Sequence, residues 1–107
     1  MVYFQMPEHN KPTHDLKTVQ SVFSNTQGLH ITGTALRDAA ALGYGSEGII
    51  ETIQSIEASH FYKSMPSEKK PGTWQDVYRV PDGDIELYVK FTSDVVTEFR
   101  LLSFKER

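Results

Sequence analysis

A chain of 107 residues offers one domain's worth of core, and its formal net charge of −3 is opposite in sign to the broad basic surface common among nucleic-acid binders. The absence of cysteine excludes disulfides and thiolate metal sites, leaving His9, His14, His30 and His60 scattered without the paired spacing of a zinc site. No apolar run approaches the roughly 20 residues that cross a bilayer, and the start lacks a basic region followed by an apolar stretch, so a soluble, cytoplasmic protein with no metal and no cofactor is expected.

Residues 1–12 carry two prolines and an Asn without sustained periodicity and read as a loose arm of a single domain spanning 1–107. From Thr13 the spacing of Leu16, Val19, Val22 and Phe23 follows a helical stripe, with Thr13 placed to cap, Asp15 suited to the first turn and Gly28 as the stop. His30-Ile31-Thr32 reads as an extended link. Thr32 or Thr34 then caps a short helix that buries Ala35, Leu36, Ala39 and Ala40 and ends at Gly43 or Gly45. Ser46 precedes a third helix in which Ile49, Ile50, Ile53 and Ile56 share one apolar face.

Beyond that helix the period changes from helical to two. Phe61, Lys63 and Met65 alternate with His60, Tyr62 and Ser64; after a Lys/Pro/Gly loop, Gln75, Val77 and Arg79 alternate with Trp74, Asp76 and Tyr78. Val80-Pro81-Asp82-Gly83-Asp84 supplies a hairpin turn. Ile85, Leu87, Val89 and Phe91 then point one way while Glu86, Tyr88 and Lys90 point the other. Ser93-Asp94 makes the next turn and a last strand runs from about Val96 to Lys105. The expected class is α+β: about three N-terminal helices packed on a C-terminal antiparallel sheet with one apolar and one wetter face.

The wetter face carries an inventory suited to a phosphodiester. Cleaving RNA through its own 2′-hydroxyl needs a proton acceptor, a proton donor for the leaving 5′-oxygen and positive charge beside the transition state. Lys63 and Lys105 are candidates for the charge, Tyr62 and Tyr88 for hydrogen bonding or proton transfer, and Gln75 for orienting a phosphate or base. His60 adjoins the block and brings an imidazole, a side-chain type suited to acid–base work. Each residue also has an ordinary structural reading. Strand tyrosines commonly expose a hydroxyl at the end of an amphipathic ring, and Lys63, Lys90 and Lys105 could serve solubility or edge protection alone. Trp74 and Met65 read as core residues, and His9, His14 and His30 receive no role. Charge is uneven along the chain: through Ser59, Lys11, Lys17 and Arg37 stand against Glu8, Asp15, Asp38, Glu47, Glu51 and Glu57, whereas the remainder is balanced. That pattern allows a local basic groove and excludes a long electrostatic track.

Four ordered blocks, Phe61-Tyr62-Lys63-Ser64-Met65, Trp74-Gln75-Asp76-Val77-Tyr78-Arg79, Leu87-Tyr88-Val89-Lys90 and Ser103-Phe104-Lys105-Glu106, resemble the motility quorum-sensing regulator (MqsR) toxins of the RelE-like group. The resemblance runs from about Lys11 to the C-terminus. It implies a RelE-like toxin fold and the toxin half of a type II toxin-antitoxin module. The implied activity is a metal-independent endoribonuclease, or mRNA interferase, that cuts single-stranded mRNA without the ribosome at GC-containing sites. The implied partner is a cognate MqsA-like antitoxin, through which alone DNA would be contacted. Carried over position by position, the resemblance makes Lys63, Gln75, Tyr88 and Lys105 the expected catalytic set, with Tyr62, Met65, His60 and Arg79 on the substrate. His60 stands where one known member of the family has an acidic residue. A catalytically inactive RNA-binding or antitoxin-binding domain of the same fold is the alternative expectation.

Overall fold

The computed structural model describes residues 9–67, 70–94 and 98–107. Helices α1 (Leu16–Val22), α2 (Gly33–Ala41) and α3 (Ser46–Ser55) come first, with single 3-10 turns at Thr26–Gly28 and Ala58–His60. Strands β1 (Phe61–Pro66), β2 (Trp74–Asp82), β3 (Ile85–Asp94) and β4 (Glu98–Glu106) follow and pair in the order β1-β2-β3-β4, antiparallel throughout. This is the α+β meander that the change of period predicts. The predicted start of the last strand at Val96, the first part of the arm and part of the Lys/Pro/Gly loop fall outside the described residues.

Local chemistry sets the helix ends. The α1 cap is Asp15 rather than Thr13: its Oδ2 accepts the Thr18 N–H at 3.0 Å and the Thr18 hydroxyl at 2.8 Å. Both bonds hold the Asp15 carboxyl below its ordinary range. Thr32 caps α2 by accepting the Ala35 N–H. At the other end of α2, Gly43 takes φ +91° and its N–H reaches the Ala40 carbonyl, while the Tyr44 N–H reaches Ala39. That is a Schellman termination, which requires a left-handed residue where Gly43 stands. Gly83 does the corresponding work in the β2–β3 hairpin, with φ +61° at the first position of a two-residue loop.

The helices cover one face of the sheet. Val19, Phe23, Ala35, Ala39, Ile49, Ile53 and Ile56 pack on Tyr78, Val80, Leu87, Val89, Phe91, Phe99, Leu101 and Phe104. Burying each large aliphatic or aromatic side chain stabilises the fold by about 1.5–3 kcal/mol, so this interface dominates. Two expected core residues of α2 lie outside it. Leu36 is 44 % exposed and Ala40 is exposed as well, because a nine-residue helix docks only the Ala35/Ala39 stripe against β4.

Two bulges correct the simple alternation of the strands. A register shift between Phe61 and Lys63 lets Phe61 pair with Tyr78 on the helix side, while Lys63 pairs with Val77 and Met65 with Gln75 on the opposite side. Phe61 therefore parts from Lys63 and Met65, with which strict alternation would group it. Ser64 turns inward and is fully buried. A second shift, beside Leu102, brings Ser103 opposite Lys90 and Lys105 opposite Tyr88.

The helix-side face also contains a buried carboxylate. Asp76, 1 % exposed, accepts the Thr13 N–H at 3.0 Å through Oδ1 and the His14 N–H at 2.8 Å through Oδ2. The Thr13 hydroxyl lies 2.6 Å from Ser64 Oγ, and the His14 ring donates from Nε2 to the Trp74 carbonyl at 3.1 Å. Upstream, the His9 backbone pairs with Ser64, and the His9 ring stacks on Trp74 at 3.9 Å. From His9 onward the expected loose arm is thus an anchored segment, and Trp74 is a half-buried stacking partner for it rather than a core residue.

Candidate active site

The sheet face turned away from the helices is built by register. One cross-strand row runs Met65, Gln75, Thr92, Arg100; the next Lys63, Val77, Lys90, Ser103; the next Arg79, Tyr88, Lys105. Directly opposed side chains in such rows start about 4.5–5.5 Å apart. Lys63, Gln75, Tyr88 and Lys105 consequently occupy one face, although 42 residues separate the first from the last. Val77 confirms that this face is layered: it is fully buried yet does not belong to the helix-side core, lying between Lys63 and Lys90 in register. The aliphatic stems of such lysines can roof a valine while their charged ends stay in water.

Aromatic rings lie beside Lys63, Arg79 and Lys105. Tyr62, 41 % exposed, lies over the Arg79 guanidinium at 4.3 Å and near Lys63 Nζ at 5.3 Å. Lys105 Nζ is 5.6 Å from the centre of the Tyr88 ring. Arg79 Nε also stands 3.4 Å from Glu86, which Arg107 shares at 3.6 Å. The Arg79 contact has ion-pair distance without hydrogen-bond alignment. An exposed ring backed by a guanidinium is a platform on which an unpaired base can stack, beside cations that can take its phosphate.

His60 is placed differently from the reading of the sequence. It closes the 3-10 turn before β1 and does not start the strand; its Nδ1 accepts the Glu57 N–H at 3.0 Å. Met65 is half-buried on the cationic face opposite Gln75, so it leaves the helix-side core to which its apolarity pointed. Lys90 is the residue that composition and period alone left without a role. It lies at the centre of the face and is half-buried. Burial, then Lys105, then Lys63, lower its pKa from the ordinary lysine value. Its shared parity with Tyr88 was the available signal.

The acidic net charge resolves into two unlike surfaces. Lys63, Arg79, Lys90, Arg100 and Lys105 share the open sheet face, whereas exposed Glu47, Glu51 and Glu57 belong to α3 and the turn after it. Over distances beyond the roughly 8 Å Debye length at physiological salt, the far charges are screened and the local charges set the field at this face. Among the described residues, no three His, Cys, Asp or Glu side chains gather as a metal site, and no helix is long and apolar enough to cross a membrane.

Fold and site together define a class: a small α+β protein whose sheet is packed by helices on one side and presents cations, phenols and an amide on the other. Residues 11–106 match the family model described as "Motility quorum-sensing regulator, toxin of MqsA". The chain is also 33 % identical, over 100 residues covering 94 % of its length and 99 % of the relative, to the mRNA interferase toxin MqsR of Escherichia coli K12. It belongs to the MqsR toxin family.

Proposed function

We propose that this protein is the toxin of a toxin-antitoxin pair and an endoribonuclease that cuts single-stranded mRNA without a metal and without the ribosome, at GC-containing sites. The observation that carries the reading is the row of Arg79, Tyr88 and Lys105 beside the row of Lys63 and Lys90, on a face that none of the described helices covers. In the proposed reaction the 2′-oxygen of one nucleotide attacks the adjacent phosphorus as its proton passes to a base. The bond to the 5′-oxygen breaks as that oxygen receives a proton, leaving a 2′,3′-cyclic phosphate and a 5′-hydroxyl. Lys63 and Lys105 bracket the phosphate, whose charge grows in the transition state. Tyr88 moves a proton through its phenol. Gln75 and Met65 seat the nucleotide while Tyr62, backed by Arg79, stacks on a base; His60 borders this end of the site. The family description, a toxin of MqsA, supports an antitoxin of that kind as the partner.

Purified protein incubated with single-stranded RNA in EDTA tests the proposal. Cyclic-phosphate ends are expected, lost on Lys63→Ala. Affinity should fall with salt along a shallow slope, because a face this small meets few phosphates. RNA left intact by folded wild-type protein overturns the catalytic reading and leaves a binding domain. A steep salt slope contradicts the small site.

A further inference from the structure

We propose that Lys90 is the central phosphate-binding cation of the open sheet face, spanning the gap between Lys63 and Lys105; this rests on the ribonuclease reading above. The first observation is spacing. Lys63 rises from edge strand β1 and Lys105 from edge strand β4, three strand intervals or about 14 Å apart at the backbone. Two lysines on opposite edges leave the middle of the face unserved. Lys90 is on β3, in the same cross-strand row as Lys63 and diagonal to Lys105.

The second observation is its lack of a counter-charge. Arg79 and Arg107 are both committed to Glu86, whereas Lys90 has no carboxylate or hydrogen-bond partner among the described residues. The groups that share its face among the described residues include Tyr62 and Lys63 from β1, Gln75 and Arg79 from β2, Glu86, Tyr88 and Thr92 from its own strand, Arg100, Ser103 and Lys105 from β4, and Arg107 against Glu86. Glu86, four residues back along β3, is taken up by Arg79 and Arg107, and the ionised groups in the registers nearest Lys90 are the cations Lys63, Arg79 and Lys105. A half-buried ammonium among like charges is unfavourable in the free protein, consistent with the lowered pKa of Lys90, and an anion at the centre relieves it. The ordinary roles of a strand lysine do not account for this placement. Edge protection fails because β3 is an interior strand, and solubility does not call for a half-buried charge.

An RNA phosphate carries one negative charge in the ground state and gains a second in the phosphorane, so a central cation binds substrate and lowers the barrier. The test uses single-stranded 2′-fluoro RNA, which keeps the phosphates and cannot cyclise. Lys90→Met should reduce the slope of log affinity against log salt by about 0.7, the value for one phosphate contact on a single strand. Lys90→Arg should restore it, and Lys17→Met on exposed α1 should leave it unchanged. Single-turnover cleavage of ordinary RNA by Lys90→Met should fall roughly 100-fold. As pH rises, wild-type affinity should decline before that of Lys90→Arg, since the lysine loses its charge first. If Lys90→Met does not fold, this comparison of wild type with Lys90→Arg decides the matter. A wild-type slope and rate in folded Lys90→Met, or identical pH profiles for wild type and Lys90→Arg, overturn the proposal. Wild-type protein that binds with the expected slopes but leaves ordinary RNA intact overturns the ribonuclease reading while the phosphate site stands.

Discussion

Asp76→Asn separates what holds this fold together from what its open face does. The Asp76 carboxylate accepts two backbone N–H groups, from Thr13 and His14, at 3.0 and 2.8 Å, and is 1 % exposed. Hydrogen bonds to a charged acceptor contribute about 1.5–3 kcal/mol each. Asparagine keeps one acceptor oxygen and turns an NH2 toward the second N–H, so one bond is lost and two donors face each other. The expected cost is about 3 kcal/mol, or roughly 12–20 °C in Tm for a domain of this size. Urea unfolding followed by Trp74 fluorescence is the assay, and Trp74 is the sole tryptophan, stacked on His9 in the same anchored segment. The chemistry should survive. Asp76 faces the helices while its neighbours Gln75 and Val77 face the other way, so single-turnover cleavage well below Tm should stay within about threefold of wild type. A stability within about 0.5 kcal/mol of wild type would refute the buried-anchor account, and a rate collapse at full folding would show that the two faces are not independent.

Tyr88→Phe should keep the ring beside Lys105 and the affinity for 2′-fluoro RNA, while cleavage falls by about 100-fold; an unchanged single-turnover rate removes the phenol from proton transfer. Tyr62→Ala should weaken RNA binding by about 1–3 kcal/mol through the loss of one stacked base, read by fluorescence anisotropy, with melting of the protein little altered because the ring is 41 % exposed. Tyr78 carries an alkaline signature. Burial, then the charges of Asp76 and Asp15, push its phenol up to about 12, so the native state holds that proton more tightly than the unfolded chain. The resulting stability is present below pH about 10 and lost as pH rises toward 12, a decline of roughly 2–3 kcal/mol that Tyr78→Phe should lack when urea midpoints are compared across pH.

Much of the architecture was legible from local pattern. Helical spacing marked the apolar faces of α1 and α3, and Asp82-Gly83 marked the hairpin, because a positive φ at Gly83 is a requirement of the turn itself. Strict alternation put Tyr88 and Lys90 on one face of β3 and Leu87, Val89 and Phe91 on the other, and the burial of those residues follows it. Local pattern misled where a neighbouring strand intervened. The bulge after Phe61 separates that ring from Lys63, and nothing in Phe61-Tyr62-Lys63 announces it, since a bulge is a property of pairing with β2. Thr13 was the expected cap of α1, but its N–H and hydroxyl are taken by Asp76 and Ser64, 63 and 51 residues away, and Asp15 caps instead.

By itself, the chain's order of residues determined the element types, the change from helical to alternating period, the side of β3 on which each residue lies and the family to which the protein belongs. Tertiary structure alone decided which cations share a face, that Asp76 is buried as an anchor, and that Lys90 stands in the middle of the sheet with no counter-charge among the described residues. The physical reason is range: propensity and parity act over a few neighbouring residues, whereas register, burial and the field of other charges arise only when distant strands come within about 5 Å of one another.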